Sequence, residues 1–222
     1  NESDTSAMQA RIASSDYTLC EDIDCADVVV INSCAFIQSA TEESIEVILE
    51  TARDWLPQDK KRHILVAGCL PSRYGTELES ELEEVSAFLS VVDENSICNT
   101  IERLTGIAAN ASDGGVSLVA SAPFAYIKIA DGCNKTCAYC TIPSIRGPYK
   151  SKPLNDICKE IESLVQQGVS EFILIAQDTT EYGSDLDSDT SLTDVIDAVC
   201  LIDGVTRVRL MYLQPDGVTN EL

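Results

Sequence analysis

The stretch Cys133-Asn-Lys-Thr-Cys137-Ala-Tyr-Cys140 carries three cysteines at the spacing C-x3-C-x2-C. It follows a run typical of a buried strand, Phe124-Ala-Tyr-Ile-Lys-Ile-Ala130, and a turn at Asp131-Gly132. Cysteine thiolates are the usual ligands of iron–sulfur clusters, and three of them on one loop can hold three irons of a cubane cluster. The next cysteine, Cys158, lies beyond Pro143 and Pro153, so the fourth iron would stay open to a substrate or cofactor. A structural zinc knot or a disulfide pair is the alternative.

The longer string Ile129-Ala-Asp-Gly-Cys-Asn-Lys-Thr-Cys-Ala-Tyr-Cys-Thr-Ile-Pro-Ser-Ile-Arg-Gly147 makes the pattern more specific. It resembles the signature of the radical S-adenosylmethionine (SAM) methylthiotransferases, and among them the branch that modifies an aspartate of a ribosomal protein. In that family the open iron of the cluster binds SAM. The resemblance implies a set of site residues: the cluster ligands Cys133, Cys137 and Cys140, the adenine-lining Tyr139, the anion-binding Arg146, and the cofactor-contacting or substrate-contacting Gln177 and Asp178.

Two further cysteines, Cys34 and Cys69, each follow an apolar run typical of a buried parallel strand. Parallel strands end at one edge of a sheet, where ligands bind, so both thiols could reach one place. From the residues alone, buried structural thiols are an equal alternative. The motifs around these two cysteines also resemble two of the three ligand motifs of the family's N-terminal domain, which holds an auxiliary cubane cluster. The resemblance implies two [4Fe-4S] clusters, with the first auxiliary ligand just before Asn1-Glu-Ser-Asp4.

Five other cysteines match no motif, and we interpret them as buried or surface thiols: Cys20, Cys25, Cys98, Cys158 and Cys200.

Strand-like and helix-like segments alternate along the first half of the chain, which predicts a parallel sheet covered by helices. The predicted strands are Asp27–Ile31, His63–Ala67 and Ala87–Val92, and the predicted helices are Met8–Tyr17, Ser39–Leu56, Thr76–Glu84 and Glu94–Leu104. In the second of these helices, Thr41 and Ser44 are predicted to cap the start, and Ile45, Ile48, Leu49 and Ala52 to form the buried face.

The second half repeats the alternation after a segment rich in Ala, Ser and Gly. Its predicted strands are 124–130, Glu171–Ala176 and Arg207–Tyr212, and its predicted helices are Leu154–Gln167, capped by Gly168, and Ser191–Leu201. The predicted fold class is α/β: an N-terminal Rossmann-like domain at 1–106, a linker at 107–122, and at 123–222 the first half of the radical SAM partial (β/α)6 barrel that the resemblance implies. Because three strands cannot close a barrel and no initiator Met is present, we expect a fragment.

Composition bounds the setting of the protein. The chain of 222 residues has a net charge of −22, yet residues 126–153 carry five basic side chains and one acidic side chain. Cations near the cysteines would favour a thiolate-bound cluster and the carboxylate of a cofactor, and the acidic remainder suits a basic partner better than nucleic acid. The sequence has neither a secretory signal nor a run of about 18 apolar residues, so its ten cysteines indicate a reducing cytoplasm and no membrane.

The resemblance implies an enzyme that adds a methylthio group to the β-carbon of an aspartate in a small-subunit ribosomal protein, with flavodoxin or ferredoxin as electron donor. Gln177-Asp-Thr179 and Pro143-Ser-Ile-Arg-Gly147 resemble the protein-modifying branch more than the branch that modifies an adenosine of transfer RNA. That RNA-modifying activity is the first alternative. An iron–sulfur electron carrier and a zinc-stabilised binding module are the others, and the carrier would need a fourth local thiolate.

Overall fold

The computed structural model describes residues 2–59, 61–108, 123–187, 189–220 and 222. The chain divides into two compact units, an N-terminal unit of residues 1–116 and a C-terminal unit of residues 117–222. Most of the predicted linker, residues 109–122, lies outside the described residues, and the predicted domain bounds stay a prediction. Among the described residues no helix is both long and apolar enough to span a membrane.

The N-terminal unit is a three-stranded parallel sheet with helices around it. In chain order its elements are α1 (Glu2–Ala13), β1 (Val28–Ser33), α2 (Gln38–Asp54), β2 (His63–Gly68), α3 (Cys69–Tyr74), α4 (Thr76–Glu81), β3 (Ala87–Ser90) and α5 (Ile97–Thr105), with 3-10 turns at Ile23–Cys25, Leu56–Gln58 and Val91–Ser96. The strand order is β1-β2-β3. The central strand β2 is buried from Ile64 onward because helices cover both of its faces, which explains its continuous apolar run.

One core of this unit lies between the sheet and the helices α1 and α5. Met8 and Ile12 of α1 and Ile97 and Ile101 of α5 pack with Leu65 and Ala67 of β2, and all six side chains are buried. Each such side chain contributes roughly 1.5–3 kcal/mol to stability on full burial, apart from the alanine. This packing fixes the sheet whose carboxyl edge carries Cys34 and Cys69.

The C-terminal unit has a second parallel sheet and a short antiparallel ladder. In chain order its elements are β4 (Phe124–Lys128), β5 (Ala130–Asp131), α6 (Ile142–Arg146), β6 (Lys150–Ser151), α7 (Leu154–Val165), β7 (Glu171–Ile175), α8 (Leu192–Cys200) and β8 (Arg207–Leu210), with 3-10 turns at Thr179–Glu181 and Pro215–Gly217. The parallel sheet has the order β4-β7-β8, and β5 pairs with β6. The predicted α/β fold class, with a parallel sheet in each unit, is confirmed.

The core of the C-terminal unit is formed by the apolar faces of α7 and α8 on the sheet. Ile157, Ile161 and Leu164 of α7 and Val195 and Val199 of α8 are buried against Phe172 and Leu174 of β7. Helix α8 begins with a capping box, in which Ser191 and Asp194 exchange hydrogen bonds with each other's backbone N–H groups. Helix α7 ends two residues before its predicted end, and Gly168 follows it with a φ of +93°.

Several predicted details of α2 are wrong. The helix begins at Gln38 with Ile37 as its N-cap residue and no capping side chain. Thr41 and Ser44 are instead buried on its inner face with Ile48 and Ala52, whereas Leu49 is 45% exposed. Ser44 is held inward because its hydroxyl bonds the backbone of Cys34, so a tertiary contact replaces the predicted cap.

Other element boundaries also differ from the prediction. Helix α1 begins at Glu2 rather than Met8, and the helix α3, which starts at Cys69 itself, was not predicted. The strand predicted over 124–130 is divided, because β4 ends at Lys128 and Ala130 pairs with Ser151 in the β5–β6 ladder. The short helix α6 directly after the cysteines was also not predicted. The helices α3 and α6 and the β5–β6 ladder are too short to leave a periodic pattern in the sequence.

Candidate metal and cofactor site

The three predicted cluster ligands lie on one loop at the carboxyl edge of the second sheet. This cysteine loop, residues 133–140, starts after β5 and ends just before α6. Gly132 turns the chain into it with a φ of +78°, and a Cβ on Gly132 would lie 2.2 Å from the carbonyl oxygen of Pro148. The N–H of Cys133 donates to the carbonyl of Gly147 at 3.2 Å. Only glycine fits this close approach, which fixes where the loop begins.

The thiols of the loop have the chemistry of cluster ligands. Cys133, Cys137 and Cys140 are all free, with Cys137 exposed and the other two half-buried. The backbone N–H of Lys135 donates to the Cys133 sulfur at 3.4 Å. Three accessible thiols on eight residues of chain fit the donor set of a cubane cluster with an open iron. Across the described residues, no three His, Cys, Asp or Glu side chains stand together as a formed metal site, so the ligand assignment stays a prediction.

An ion pair connects the cysteine loop to the end of β7. The Lys135 ammonium lies 2.7 Å from Oδ2 of Asp178, with Asp216 at 3.7 Å and Glu181 at 3.9 Å. The hydrogen bond to Asp178 and the surrounding carboxylates raise the pKa of Lys135. Asp178 is 1% exposed, and its other carboxylate oxygen accepts the N–H of Thr180 at 3.2 Å. Asp178 therefore faces protein groups in this structure rather than an open cofactor position.

A buried tyrosine makes a second connection between the same two segments. The backbone N–H of Tyr149 donates to Oδ1 of Asn134 in the cysteine loop at 3.0 Å. The Tyr149 hydroxyl donates to the backbone carbonyl of Asp178, also at 3.0 Å. Burial, followed by the charge of Asp178, raises the pKa of Tyr149 far above its ordinary value, so the hydroxyl keeps its proton near neutral pH.

Four of the five cations of the basic segment, residues 126–153, are paired with carboxylates. Arg146, predicted to bind an anion, has its guanidinium 3.1 Å from Asp131, which Lys128 also contacts at 2.8 Å. Burial alone would raise the pKa of Asp131, but Lys128 and Arg146 outweigh burial and lower it. Lys152 pairs with Glu160 of α7. These pairs organise the base of the loop, so the local charge excess is smaller than the sequence indicates.

Two other residues predicted to contact the cofactor, Tyr139 and Gln177, have groups that could accept a new contact. Tyr139, next to the last cysteine, is 90% exposed. Gln177 follows β7 and is half-buried, and its buried Oε1 atom has no hydrogen-bond partner among the described residues. A buried amide oxygen without a donor is uncommon in folded proteins and fits a group that receives a ligand's hydrogen bond. Both residues are available for contact with a bound cofactor.

The structure adds residues that the sequence prediction did not single out. Lys135 and Tyr149 connect the loop to Asp178, and neither was predicted to have a role. Lys135 stands between two predicted ligands, but 43 residues separate it from Asp178, and nothing local in the sequence indicates that the two pair. Tyr212, just after β8, was also not predicted to have a role. It has a φ of +62°, and its backbone carbonyl accepts the N–H of Thr179 at 3.1 Å. Strain of this kind clusters at functional sites.

The two cysteines of the N-terminal unit lie at the same level of adjacent strands. Ser33 of β1 is the register partner of Gly68 of β2, so Cys34 and Cys69 each follow at the carboxyl edge. Cys69 is 5% exposed and Cys34 is half-buried. The structure therefore brings both to one edge, as predicted from the strand ends.

Local hydrogen bonds hold the turn that contains Cys34. Its N–H donates to the Ser44 hydroxyl oxygen at 3.0 Å, and that hydroxyl donates to the Cys34 carbonyl at 2.9 Å. Two residues earlier, the Asn32 amide donates to the hydroxyl of Thr5 at 2.8 Å, so the first turn of α1 lies at the same sheet edge.

Comparison with known proteins agrees with the two-unit architecture. Residues 1–90 match the uncharacterized protein family UPF0004, and residues 127–212 match the radical SAM superfamily. Each half of the chain thus matches one of these two models, and both the predicted radical SAM domain and the resemblance to methylthiotransferases stated from the sequence are confirmed.

The curated relatives are more particular. The chain is 41% identical over 201 residues to the ribosomal protein uS12 methylthiotransferase RimO of Alkaliphilus oremlandii, covering 89% of this chain and 45% of the relative. It is 38% identical over 232 residues to the protein of that name from Thermoanaerobacter sp., covering 100% of this chain and 53% of the relative. For the Geobacter sulfurreducens protein of that name, identity is 40% over 230 residues, with 99% and 51% covered. The chain thus spans about half the length of the curated relatives that it matches.

Proposed function

We propose that this protein acts as a radical SAM methylthiotransferase, which adds a methylthio group to the β-carbon of an aspartate in a small-subunit ribosomal protein. The observation that carries the proposal is the cysteine loop: three free thiols on a glycine-hinged loop, at the sheet edge where barrel enzymes bind their ligands. The names of the relatives support the substrate. The transfer RNA alternative has no structural observation in its favour.

Cys133, Cys137 and Cys140 would hold a [4Fe-4S] cluster, and the exposed Tyr139 and the half-buried Gln177 would contact SAM. When bound, the cluster and SAM supply the radical chemistry that the side chains of this protein cannot perform. Arg146 would support the cluster site indirectly. Its ion pair with Asp131 would hold in place the neighbouring Gly147, whose carbonyl accepts the N–H of Cys133. The protein's own contribution is to position and shield the reacting groups.

Cys34 and Cys69 would hold an auxiliary [4Fe-4S] cluster with one further ligand just before residue 1. The shared register of β1 and β2 and the contact of Asn32 with Thr5 support this placement, because they bring both thiols and the first turn of α1 to one edge. The reducing electron would come from flavodoxin or ferredoxin. We place the protein in the cytoplasm, where its ribosomal substrate would be met.

The cluster assignment is tested by Cys137→Ala in the full-length protein after anaerobic reconstitution. We expect the variant to lose about four irons per chain and all reductive SAM cleavage, because a cubane held by two thiolates is not retained. Cys200→Ala, which removes an exposed thiol at the end of α8, is the matched control and should behave as the wild type. Retained SAM cleavage in Cys137→Ala, or bound zinc in place of iron in the wild type, would contradict the assignment.

The substrate is tested with SAM, reductant and sulfide in parallel reactions on a loop peptide of the ribosomal protein and on unmodified transfer RNA. We expect a mass increase of one methylthio group on the peptide aspartate and none on the RNA. The reverse result would replace the proposed substrate by the RNA alternative while leaving the radical SAM assignment in place. Modification of neither substrate by a cluster-loaded protein would leave SAM cleavage as the activity and reject both.

A further inference from the structure

We propose that Lys135 and Asp178 are positioning residues, whose ion pair holds the cysteine loop in its ligand-bearing conformation against the end of β7. The effect on cluster binding rests on the proposed function, whereas the effect on the loop itself does not. The pair joins the loop between Cys133 and Cys137 to the neighbouring strand of the parallel sheet.

The Asp178 carboxylate is built to receive a cation. Its side chain is 2% exposed, and one oxygen accepts the N–H of Thr180 at 3.2 Å and the Thr180 hydroxyl at 2.5 Å. These bonds fix the carboxylate at the start of a 3-10 turn. The other oxygen receives the Lys135 ammonium at 2.7 Å. A buried carboxylate without a counter-charge is unfavourable, so this geometry draws Lys135 inward.

Two further carboxylates also hold the Lys135 ammonium group in this position. Its side chain is 32% exposed, and the carboxylates of Asp216 and Glu181 lie within 4 Å of its ammonium group. The cation therefore sits among three acidic groups, all from segments that follow β7 or β8. An alternative orientation toward solvent would lose all three attractions at once.

A second connection reaches the same residue by a different route. Tyr149 is 5% exposed and bridges Asn134 of the loop to the backbone carbonyl of Asp178, with both hydrogen bonds at 3.0 Å. The cysteine loop is therefore connected to Asp178 twice: Lys135 contacts its carboxylate, and Tyr149 donates to its backbone carbonyl. Two independent connections to one residue indicate that the distance between the loop and β7 is fixed rather than incidental.

The first experiment measures the loop in the cluster-free chain by alkylation with iodoacetamide and mass spectrometry of each cysteine. In Lys135→Met and in Asp178→Asn we expect the half-buried Cys133 and Cys140 to react roughly fivefold faster, since the loop opens more often without the pair. The exposed Cys200 should react at an unchanged rate and reports on the reagent. Lys159→Met is the matched control, because it removes a 76% exposed lysine whose carboxylate partner is 3.9 Å away.

Two further variants distinguish positioning from general stability. The double variant Lys135→Met/Asp178→Asn should react no faster than either single variant, because both changes remove the same interaction. Lys135→Arg keeps the charge and should return Cys133 and Cys140 to within about twofold of the wild-type rates. A general loss of stability would instead add up in the double variant and would also raise the reaction of the half-buried Cys158 in α7.

The second experiment reconstitutes the full-length protein with iron and sulfide and follows iron loss to a chelator. We expect Lys135→Met to lose iron about fivefold faster than Lys159→Met. If the wild type binds no iron, the proposed function fails, but the alkylation rates still decide the role of the pair. If the wild type binds a cluster and the alkylation and iron-loss rates of Lys135→Met equal those of Lys159→Met, the proposed function stands and the positioning role is overturned.

Discussion

The tight turn at Gly132 provides the sharpest test of how the cysteine loop is held in place. Replacing Gly132 with Ala places a methyl group on a residue whose φ is +78°, 2.2 Å from the carbonyl oxygen of Pro148 and 2.6 Å from that of Gly147. The positive φ alone costs a non-glycine residue roughly 1–2 kcal/mol. The contact is with backbone atoms, which cannot rotate away, and forcing the segments apart adds about 1–3 kcal/mol. The total loss is about 2–5 kcal/mol in the free energy of unfolding.

A matched control separates the two contributions. Gly168 also has a positive φ, +93°, in the same unit, but nothing lies within 4 Å of the Cβ position. Gly168→Ala should therefore cost only the backbone term of roughly 1–2 kcal/mol. In a unit of about 100 residues each kcal/mol shifts the melting temperature by about 4–8 °C, so the two variants should be clearly resolved.

The two units need separate probes of unfolding. Trp55 is the only tryptophan of the chain and lies in the N-terminal unit, so its fluorescence follows that unit. Pulsed alkylation of the half-buried Cys158 along a urea series follows the C-terminal unit. We expect Gly132→Ala to lower the Cys158 midpoint well below that of Gly168→Ala while the Trp55 midpoint stays constant. Equal Cys158 midpoints for the two variants would refute the close approach at Gly132.

Three other outcomes are expected. Tyr149→Phe should lower the stability of the C-terminal unit by about 1–2 kcal/mol, measured by Cys158 alkylation, because the carbonyl of Asp178 loses its buried donor, whereas Tyr139→Phe should change nothing. The pKa of Asp131 is lowered in the folded state, so the charged carboxylate stabilises the fold above its ordinary pKa of 3.8, and this stabilisation is lost as pH falls through the folded-state pKa. The urea midpoints of the wild type and of Asp131→Asn should therefore differ near pH 6 and converge in acid. Ser44→Ala should lower the Trp55 unfolding midpoint by an amount equivalent to about 1–3 kcal/mol, because both backbone groups of Cys34 lose a partner, and an unchanged midpoint would contradict that structural role.

The sequence predicted those features that depend on repetition over many residues. The apolar run His63–Ala67 predicted a buried parallel strand, and β2 is that strand with one more residue. The strand ends at Cys34 and Cys69 predicted one shared edge, and the register of Ser33 with Gly68 provides it. Strand and helix alternation has a physical origin in burial on both faces of a sheet, so it can be read without knowledge of tertiary contacts.

The features that the sequence did not predict depend on contacts between distant residues. Ser44 was assigned to a helix cap from its position alone, but its hydroxyl bonds the backbone of Cys34, ten residues away. The family resemblance implies that Asp178 contacts cofactor or substrate, but the partners that its carboxylate has in the structure, Lys135 and Thr180, were not predicted. Side chains of one type can serve either role, and only the packed structure determines which partner is in reach.

Both predicted ligand sets use the same local device, a glycine with positive φ immediately before a cysteine. Gly68 precedes Cys69 with a φ of +99°, and Gly132 precedes Cys133 with a φ of +78°. A Cβ at Gly68 would meet the Asn32 amide oxygen and the Ser33 carbonyl at 2.6 Å, and a Cβ at Gly132 would meet the Pro148 carbonyl at 2.2 Å. In each case the glycine lets a neighbouring segment approach closely and turns the chain sharply at the end of a strand. The glycine therefore fixes the position of the following cysteine at the sheet edge, whereas a flexible loop would leave that position variable. The Gly-Cys pair therefore links the fold to the proposed cluster chemistry in both units.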